Sequence, residues 1–296
     1  MKKWLALAAT AVLGASLLIS GCGSSTNNAS SSGSKEVLKV AANPVPHAEI
    51  LEQVKPILAK EGVGLQIVEF TDYIQPNMAL SSHEVDANFF ANVPYQNNFN
   101  KDHGFTNFVS FAPVHIEPLA IYSQKIKDLK DLPKGAKIAI PNDPTNGGRA
   151  LLLLQKQGLI TLKDSTNILS TVQDITANPN EYQFVELEAA QVPRSLDDVA
   201  LAAINTNFAL NAGLNPGKDA LAIETNDSPY VNIVTVLKGN ENDPRIKKLM
   251  AALHSPEIIK FIQEKYQRCY CSCILRYTKK RPHQRGLFFI CYRPQI

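Results

Sequence analysis

LKVAANPVPHAEILEQVKPILAKEGVGLQIVEF, residues 38–70, carries the pattern from which the fold is read. Leu38 to Ala42 is a strand-like run, Ala48 to Lys60 repeats apolar residues at helical spacing, and Leu65 to Phe70 is strand-like again. Strand, helix, strand is the punctuation of an α/β domain. The alternation continues through a helix around Met78 to His83, a short strand at Ala87-Asn88-Phe89, a helix from Tyr95 to His103, and strands at Phe108 to Phe111 and Leu119 to Tyr122. A second unit begins near Ile126. It has strands at Lys137 to Ile140, Tyr182 to Leu187, Ala200 to Asn205 and Ala220 to Glu224. Helices are expected at Gly147 to Gln157, Val192 to Leu196 and Phe208 to Ala212. The apolar strand Val231 to Leu237 and the helices Pro244 to Leu253 and Pro256 to Tyr266 follow.

The N-terminal segment reads as an export signal. Lys2 and Lys3 form a positive n-region, and the uncharged stretch Trp4 to Ile19 is shorter than the ~20 residues a spanning helix needs. Leu18-Ile19-Ser20-Gly21-Cys22 resembles a bacterial lipobox, which makes Cys22 a lipid anchor and not a redox group. Each buried methylene of such an anchor contributes roughly 0.8 kcal/mol to membrane binding. Gly23 to Ser34 (GSSTNNASSSGS) has the composition of a flexible tether.

From Arg268 the composition changes abruptly. This tail holds four of the five cysteines and seven Lys or Arg, with no acid. Cys269, Cys271 and Cys273 lack the two-residue gap of zinc knuckles, so no metal is assigned there, and the tail is read as aberrant and poorly ordered. The whole chain is formally +3, but with the tail and n-region set aside the remainder is −6, which removes the support for a nucleic-acid partner. The expected organisation is a signal peptide over 1–21, a tether over 22–36, lobe 1 over 37–116, lobe 2 over 117–228, a return to lobe 1 over 229–267, and the tail over 268–296.

Binding a free amino acid requires a cation for the carboxylate, oxygens for the ammonium, and a pocket for the side chain. In PNDPTNGGR, residues 141–149, a proline-rich turn leads into a helix N-terminus, where free N–H groups favour an anion, and Arg149 is expected in the first helical turn. A guanidinium can grip a carboxylate through two parallel hydrogen bonds. The cluster DANFFANVPY, residues 86–95, gathers three aromatics and two asparagines near a strand end, and aromatic walls suit a thioether. Taken alone, both patterns also fit a solvated helix arginine and an ordinary core cluster.

PNDPTNGGRALLLLQKQGLI (141–160), LEAAQVPRSLDDVALAAINTNFA (187–209), SPYVNIV (228–234) and DYIQPNMALSS (72–82) with DANFFANVPY resemble the methionine-binding lipoproteins, the NlpA family of periplasmic-type binding proteins. The resemblance runs in order from Val37 to about Gln267. It implies a type II fold of two α/β lobes joined by two crossings, with ligand in the interlobe cleft. It also implies an ABC importer partner of permease and ATPase. A monomer without a cofactor is expected. By that resemblance Arg149 matches the carboxylate-binding arginine, Asn205 and Asn232 the polar contacts to the ligand's amino and carboxylate groups, and Tyr73, Phe89 and Tyr95 the side-chain pocket. Asn146 lies in the matching loop. Where the family has Gln-His this chain has Ala91-Asn92, so Asn92 stands in place of the pocket histidine and side-chain specificity is open. The alternatives are another apolar amino acid, D-methionine, or a methionine-containing dipeptide.

An adhesin with the same anchor would need no such cleft. A hydrolase built on Ser195, Asp197, Asp198 and His115 lacks a Gly-x-Ser-x-Gly elbow, and Ser195 is read instead as a helix cap. The six histidines (His47, His83, His103, His115, His254, His283) show no metal-ligand spacing and are read as surface or hydrogen-bonded core residues. Glu117 and Pro118 are placed near an interlobe crossing.

Overall fold

The computed structural model describes residues 36–225 and 229–266, together with the backbone of 271–274 and 290–291. Cys22, the lipobox, the tether and His283 lie outside the described residues. The first lobe opens with β1 (Glu36–Ala42), α1 (Glu49–Lys60) and β2 (Val63–Glu69), then α2 (Gln75–Ser81), β3 (Ala87–Asn92), α3 (Val93–His103) and β4 (Phe108–Ile116). The chain then crosses to β5 (Ala120–Tyr122), β6 (Lys137–Pro141), α4 (Pro144–Lys156), β7 (Thr161–Leu162), β8 (Ile175–Ala177), β9 (Gln183–Leu187), β10 (Leu201–Ile204), α5 (Thr206–Asn211), α6 (Pro216–Asp219) and β11 (Ala222–Ile223). It returns through β12 (Val231–Leu237), α7 (Pro244–Leu253) and α8 (Pro256–Tyr266), followed by β13 (Cys271–Ile274) and β14 (Ile290–Cys291). No helix among the described residues is long and apolar enough to cross a membrane.

Two sheets organise two lobes. In the first the order is β14-β13-β4-β12-β3-β1-β2; in the second it is β11-β5-β10-β6-β9. β1 pairs in parallel with both β2 and β3, while β12 enters antiparallel between β3 and β4. The returning strand therefore lies in the middle of the first sheet, and all seven of its residues are buried. Only Glu117-Pro118-Leu119 separates β4 in one sheet from β5 in the other, and a second crossing follows β11. The tail contributes β13, paired antiparallel to β4, where the sequence reading expected no order.

Helix α1 forms because its apolar residues recur on one face: Ile50, Leu51, Val54 and Leu58 are all fully buried against the first sheet and α7. Burying such side chains contributes roughly 1.5–3 kcal/mol each. In the second lobe α4 does the same with Ala150, Leu151, Leu153 and Leu154. Its Gly147-Gly148 pair lets the helix approach closely. A Cβ on Gly147 would come within 2.8 Å of the Pro141 carbonyl oxygen, and one on Gly148 would overlap the Ile168 carbonyl oxygen.

Several local expectations change. Residues 192–195 form a short 3-10 turn and not a helix to Leu196. Ser195 closes it by donating to the Val192 carbonyl, so it caps nothing downstream. α4 begins at Pro144, three residues before the expected start, because the Asp143 side chain accepts the Asn146 N–H and nucleates the first turn.

Candidate ligand-binding site

Both lobes contribute to one cavity, lined by Tyr73, Phe90, Ala91, Asn92, Tyr95, Glu117, Asn146, Arg149, Asn205, Thr206 and Asn232. Its lobe 1 wall starts from the end of β1. Asn43 there donates to the Phe70 and Asp72 carbonyls at 2.7 and 3.1 Å, fixing the loop that carries Tyr73. Tyr95 in the first turn of α3 donates its hydroxyl to the Tyr73 carbonyl at 2.9 Å. Asn92 caps α3, its Oδ1 accepting the Tyr95 N–H at 2.9 Å. In this chain the residue in place of the family histidine therefore holds a helix end as well as facing the cavity.

Phe89 does not line the cavity; Phe90 does. Successive strand residues face opposite sides, and Phe89 points into the lobe 1 core, edge-on to the His47 and His115 rings at 4.8 and 5.5 Å.

The lobe 2 wall is polar. Arg149, only 3% exposed, lies in the second turn of α4 and not the first, as a consequence of the earlier helix start. Its Nε donates to Glu224 Oε1 and Oε2 at 2.8 and 2.9 Å, and Nη2 to Glu224 Oε2 at 2.5 Å and to the Glu117 carbonyl at 2.6 Å. The guanidinium sits 4.1 Å from the Tyr230 ring centroid. Burial alone would lower the Arg149 pKa, but Glu224 outweighs it and the result is a rise. Glu224 also accepts the Leu119 N–H at 2.9 Å, so this ion pair ties α4 to both crossings. The helix N-terminus expected to favour an incoming anion is already occupied by Asp143. That carboxylate takes the Asn146 backbone N–H at 2.9 Å and its side-chain Nδ2 at 3.1 and 3.0 Å. Burial raises the Asp143 pKa despite these bonds. Asn146 Oδ1 in turn accepts from Asn205 Nδ2 at 2.8 Å, and the Thr206 hydroxyl donates to the Pro118 carbonyl.

Behind the junction of the lobes, Glu117 Oε1 meets two histidines: His115 Nε2 at 2.7 Å and His47 Nε2 at 3.1 Å. His47 Nε2 is also 3.0 Å from Asn232 Oδ1. Burial works to raise the Glu117 pKa, but the two histidines prevail and bring it to about 2; burial lowers that of His115. The ligand atoms of His47, His115 and Glu117 lie within 4.8 Å of one another. Both contacts to Glu117 have hydrogen-bond length, and three-dimensional proximity here joins histidines that showed no metal-ligand spacing along the sequence. The imagined hydrolytic set is not joined by these bonds, since His115 is engaged by Glu117 and Ser195 by Val192.

The lobes meet directly. The Tyr73 hydroxyl donates to Asn207 Oδ1 at 2.6 Å, and its ring lies 4.8 Å from that of Phe208. Burial raises the Tyr73 pKa well above its ordinary value, so this hydroxyl stays a donor. The cavity's free volume is about 20 Å³, little more than one water-sized sphere needs.

Over residues 38–272 the sequence matches the NlpA lipoprotein family. The chain belongs to that family. Among NlpA relatives, D-methionine-binding lipoprotein MetQ of Escherichia coli (strain K12) is 41% identical over 259 residues, covering 86% of this chain and 93% of that protein. Methionine-binding lipoprotein MetQ of Bacillus subtilis (strain 168) is 41% identical over 263 residues, covering 86% and 95%. A solved structure, a nutrient binding protein from Burkholderia cenocepacia bound to methionine, superposes with a TM-score of 0.77 at 45% identity, covering 79% of this chain and 99% of that one. The two-lobe α/β architecture is that of these NlpA neighbours. Glu224, Phe90, Asn207 and Thr206 were not singled out from the sequence. Glu224 stands 75 residues from Arg149 with no local motif to link them.

Proposed function

We propose that this chain is an extracytoplasmic binding protein that takes up one free amino acid, L-methionine, in the interlobe cleft and delivers it to an ABC importer. The observation that carries the reading is the division of the cavity: Arg149, Asn146, Asn205 and Asn232 supply polar groups, while Tyr73, Phe90 and Tyr95 supply an aromatic wall. A thioether gains roughly 0.3–1.5 kcal/mol from contact with such rings. Nε and Nη2 of Arg149 are engaged by Glu224 and the Glu117 carbonyl; the ligand carboxylate is assigned to Nη1, and Asn205 and Asn232 share the remaining contacts to the zwitterion. Phe89 acts from behind, by packing the histidines. The name of the Bacillus subtilis relative and the methionine in the Burkholderia structure support methionine as the ligand.

Ligand held between the walls favours the closed state, which is the form a permease with its ATPase would recognise. The chain acts as a monomer anchored through lipidated Cys22 on the outer face of the cell membrane. D-methionine is the second ligand to consider, because the Escherichia coli relative is named for it and Asn92 replaces the family histidine. Calorimetric titration of purified protein with L-methionine, D-methionine, leucine and a methionine dipeptide tests the proposal. One saturable site preferring L-methionine supports it. Preference for another amino acid moves the specificity to Ala91-Asn92, and no binding of any of the four defeats it.

A further inference from the structure

Two hydrogen-bond chains run to the cavity from carboxylates, one on the partly buried Asp143 and one on the buried Glu117, and a carboxylate can only accept. The first starts at Asp143. Because both of its oxygens face Asn146 Nδ2, the Asn146 amide must turn its oxygen the other way, where Asn205 Nδ2 donates to it. Asn205 is then left with Oδ1, a buried oxygen without a hydrogen-bond partner on a residue that lines the cavity. This chain ends in an acceptor.

The second starts at Glu117. With a carboxylate oxygen 3.1 Å away, His47 Nε2 must carry the proton. His47 Nδ1 is buried with no partner, so a proton moved there from Nε2 would lose the bond to Glu117 and gain none in return. The protonated Nε2 faces Asn232 at 3.0 Å, so Asn232 presents its oxygen to the ring and keeps its NH₂ for the cavity it lines. This chain ends in a donor.

We infer that Asp143 and the Glu117–His47 pair are positioning residues that fix the polarity of the cleft, so that a ligand's ammonium goes to Asn205 and its carboxylate to Asn232 beside Arg149. The inference rests on the amino-acid reading above and adds the groups that hold each amide in one orientation. Neither Asp143 nor His47 lines the cavity, whereas Glu117 does; Asp143 and His47 act through the amide each turns. Replacing Asp143 by Asn, whose side chain can donate or accept, or His47 by Phe, which can do neither, frees the corresponding amide to rotate.

Two measurements test it. Long-range ¹H–¹⁵N NMR on the ligand-free full chain reads the His47 tautomer, with Nε2–H expected at neutral pH; an Nδ1–H tautomer overturns the second chain whether or not methionine binds. Competition titrations then compare wild type, Asp143→Asn and His47→Phe with methioninol, which lacks the carboxylate, and 4-(methylthio)butanoate, which lacks the ammonium. A charged hydrogen bond lost at one end predicts that Asp143→Asn weakens methioninol about tenfold and 4-(methylthio)butanoate less than about twofold, with the reverse for His47→Phe. Equal losses for both analogues in each variant, or no loss, overturn the inference as a merely structural effect. A wild-type protein that binds no amino acid defeats the functional proposal instead, and the tautomer still decides the relay.

Discussion

On the lobe 1 side of the cleft, Tyr73, Phe90 and Tyr95 support one another, with ring centroids 5.5–6.0 Å apart. On the lobe 2 side, the arginine and the two asparagines depend on acids behind them: Arg149 on Glu224, and Asn146 with Asn205 on Asp143. The aromatic wall is a sum of many small contacts, each pair contributing about 0.5–1.5 kcal/mol beyond burial. Losing one leaves the others in place. The polar wall is a set of chains, and removing a link strands a buried charge or amide, so damage there should be larger and more specific.

The sharpest way to break that contrast is Arg149→Ala. Leaving the partly buried Glu224 without its arginine and the ligand carboxylate without its cation should cost on the order of 3–5 kcal/mol, read as at least a hundredfold loss of methionine affinity together with a lower Tm. Unchanged affinity by calorimetry would remove the arginine from the site. Next comes Gly148→Ala, which tests whether the polar wall needs α4 seated tightly. Overpacking against the Ile168 carbonyl should cost about 1–3 kcal/mol, seen as a lower denaturation midpoint in urea with an unchanged slope. On the aromatic side, Tyr73→Phe keeps the ring and deletes only the bond to Asn207. An expected loss of about 0.5–1.5 kcal/mol in methionine binding, with little change in Tm, would place that hydroxyl in closure and not in folding.

Acid gives the smallest effect. His115, held neutral by burial, is not protonated in the folded state when the unfolded chain takes up a proton below about pH 6.5. Stability is therefore full above that pH and falls as the pH drops toward the folded value. Glu117 adds a second loss below about pH 4.5 that continues to about 2, its folded pKa. Thermal melts from pH 7 to 5 should show a falling Tm, with a shallower slope in His115→Gln. An equal slope would assign the dependence to other groups.

Elements with long apolar periodicity were legible in the sequence. The sequence limits of β12, α7 and α8 coincide with those in the structure. At the site, the residues read from motifs fall around one cavity with the exception of Phe89, because a paired Phe-Phe on a strand does not say which ring faces in until the register is known. β3 carries an irregularity at that point: Asn232 and Val234, two apart on β12, face Asn92 and Phe89, three apart on β3. Arg149 could be named but its partner could not, since the Glu224 carboxylate reaches it only after the second sheet closes. The helix N-terminus was misread for a related reason: Asp143 supplies from within the chain the negative charge that the sequence reading reserved for a ligand.

The bond between Tyr73 and Asn207 joins the two walls of the cleft through the protein's own atoms. Viewed as a latch, it makes part of closure belong to the chain and not to its cargo. One hydrogen bond contributes only about 0.5–1.5 kcal/mol, a small share beside that of a clamped zwitterion. The strength of one tyrosine hydroxyl bond is therefore a place where the balance between open and closed forms can be tuned without touching the ligand's own contacts.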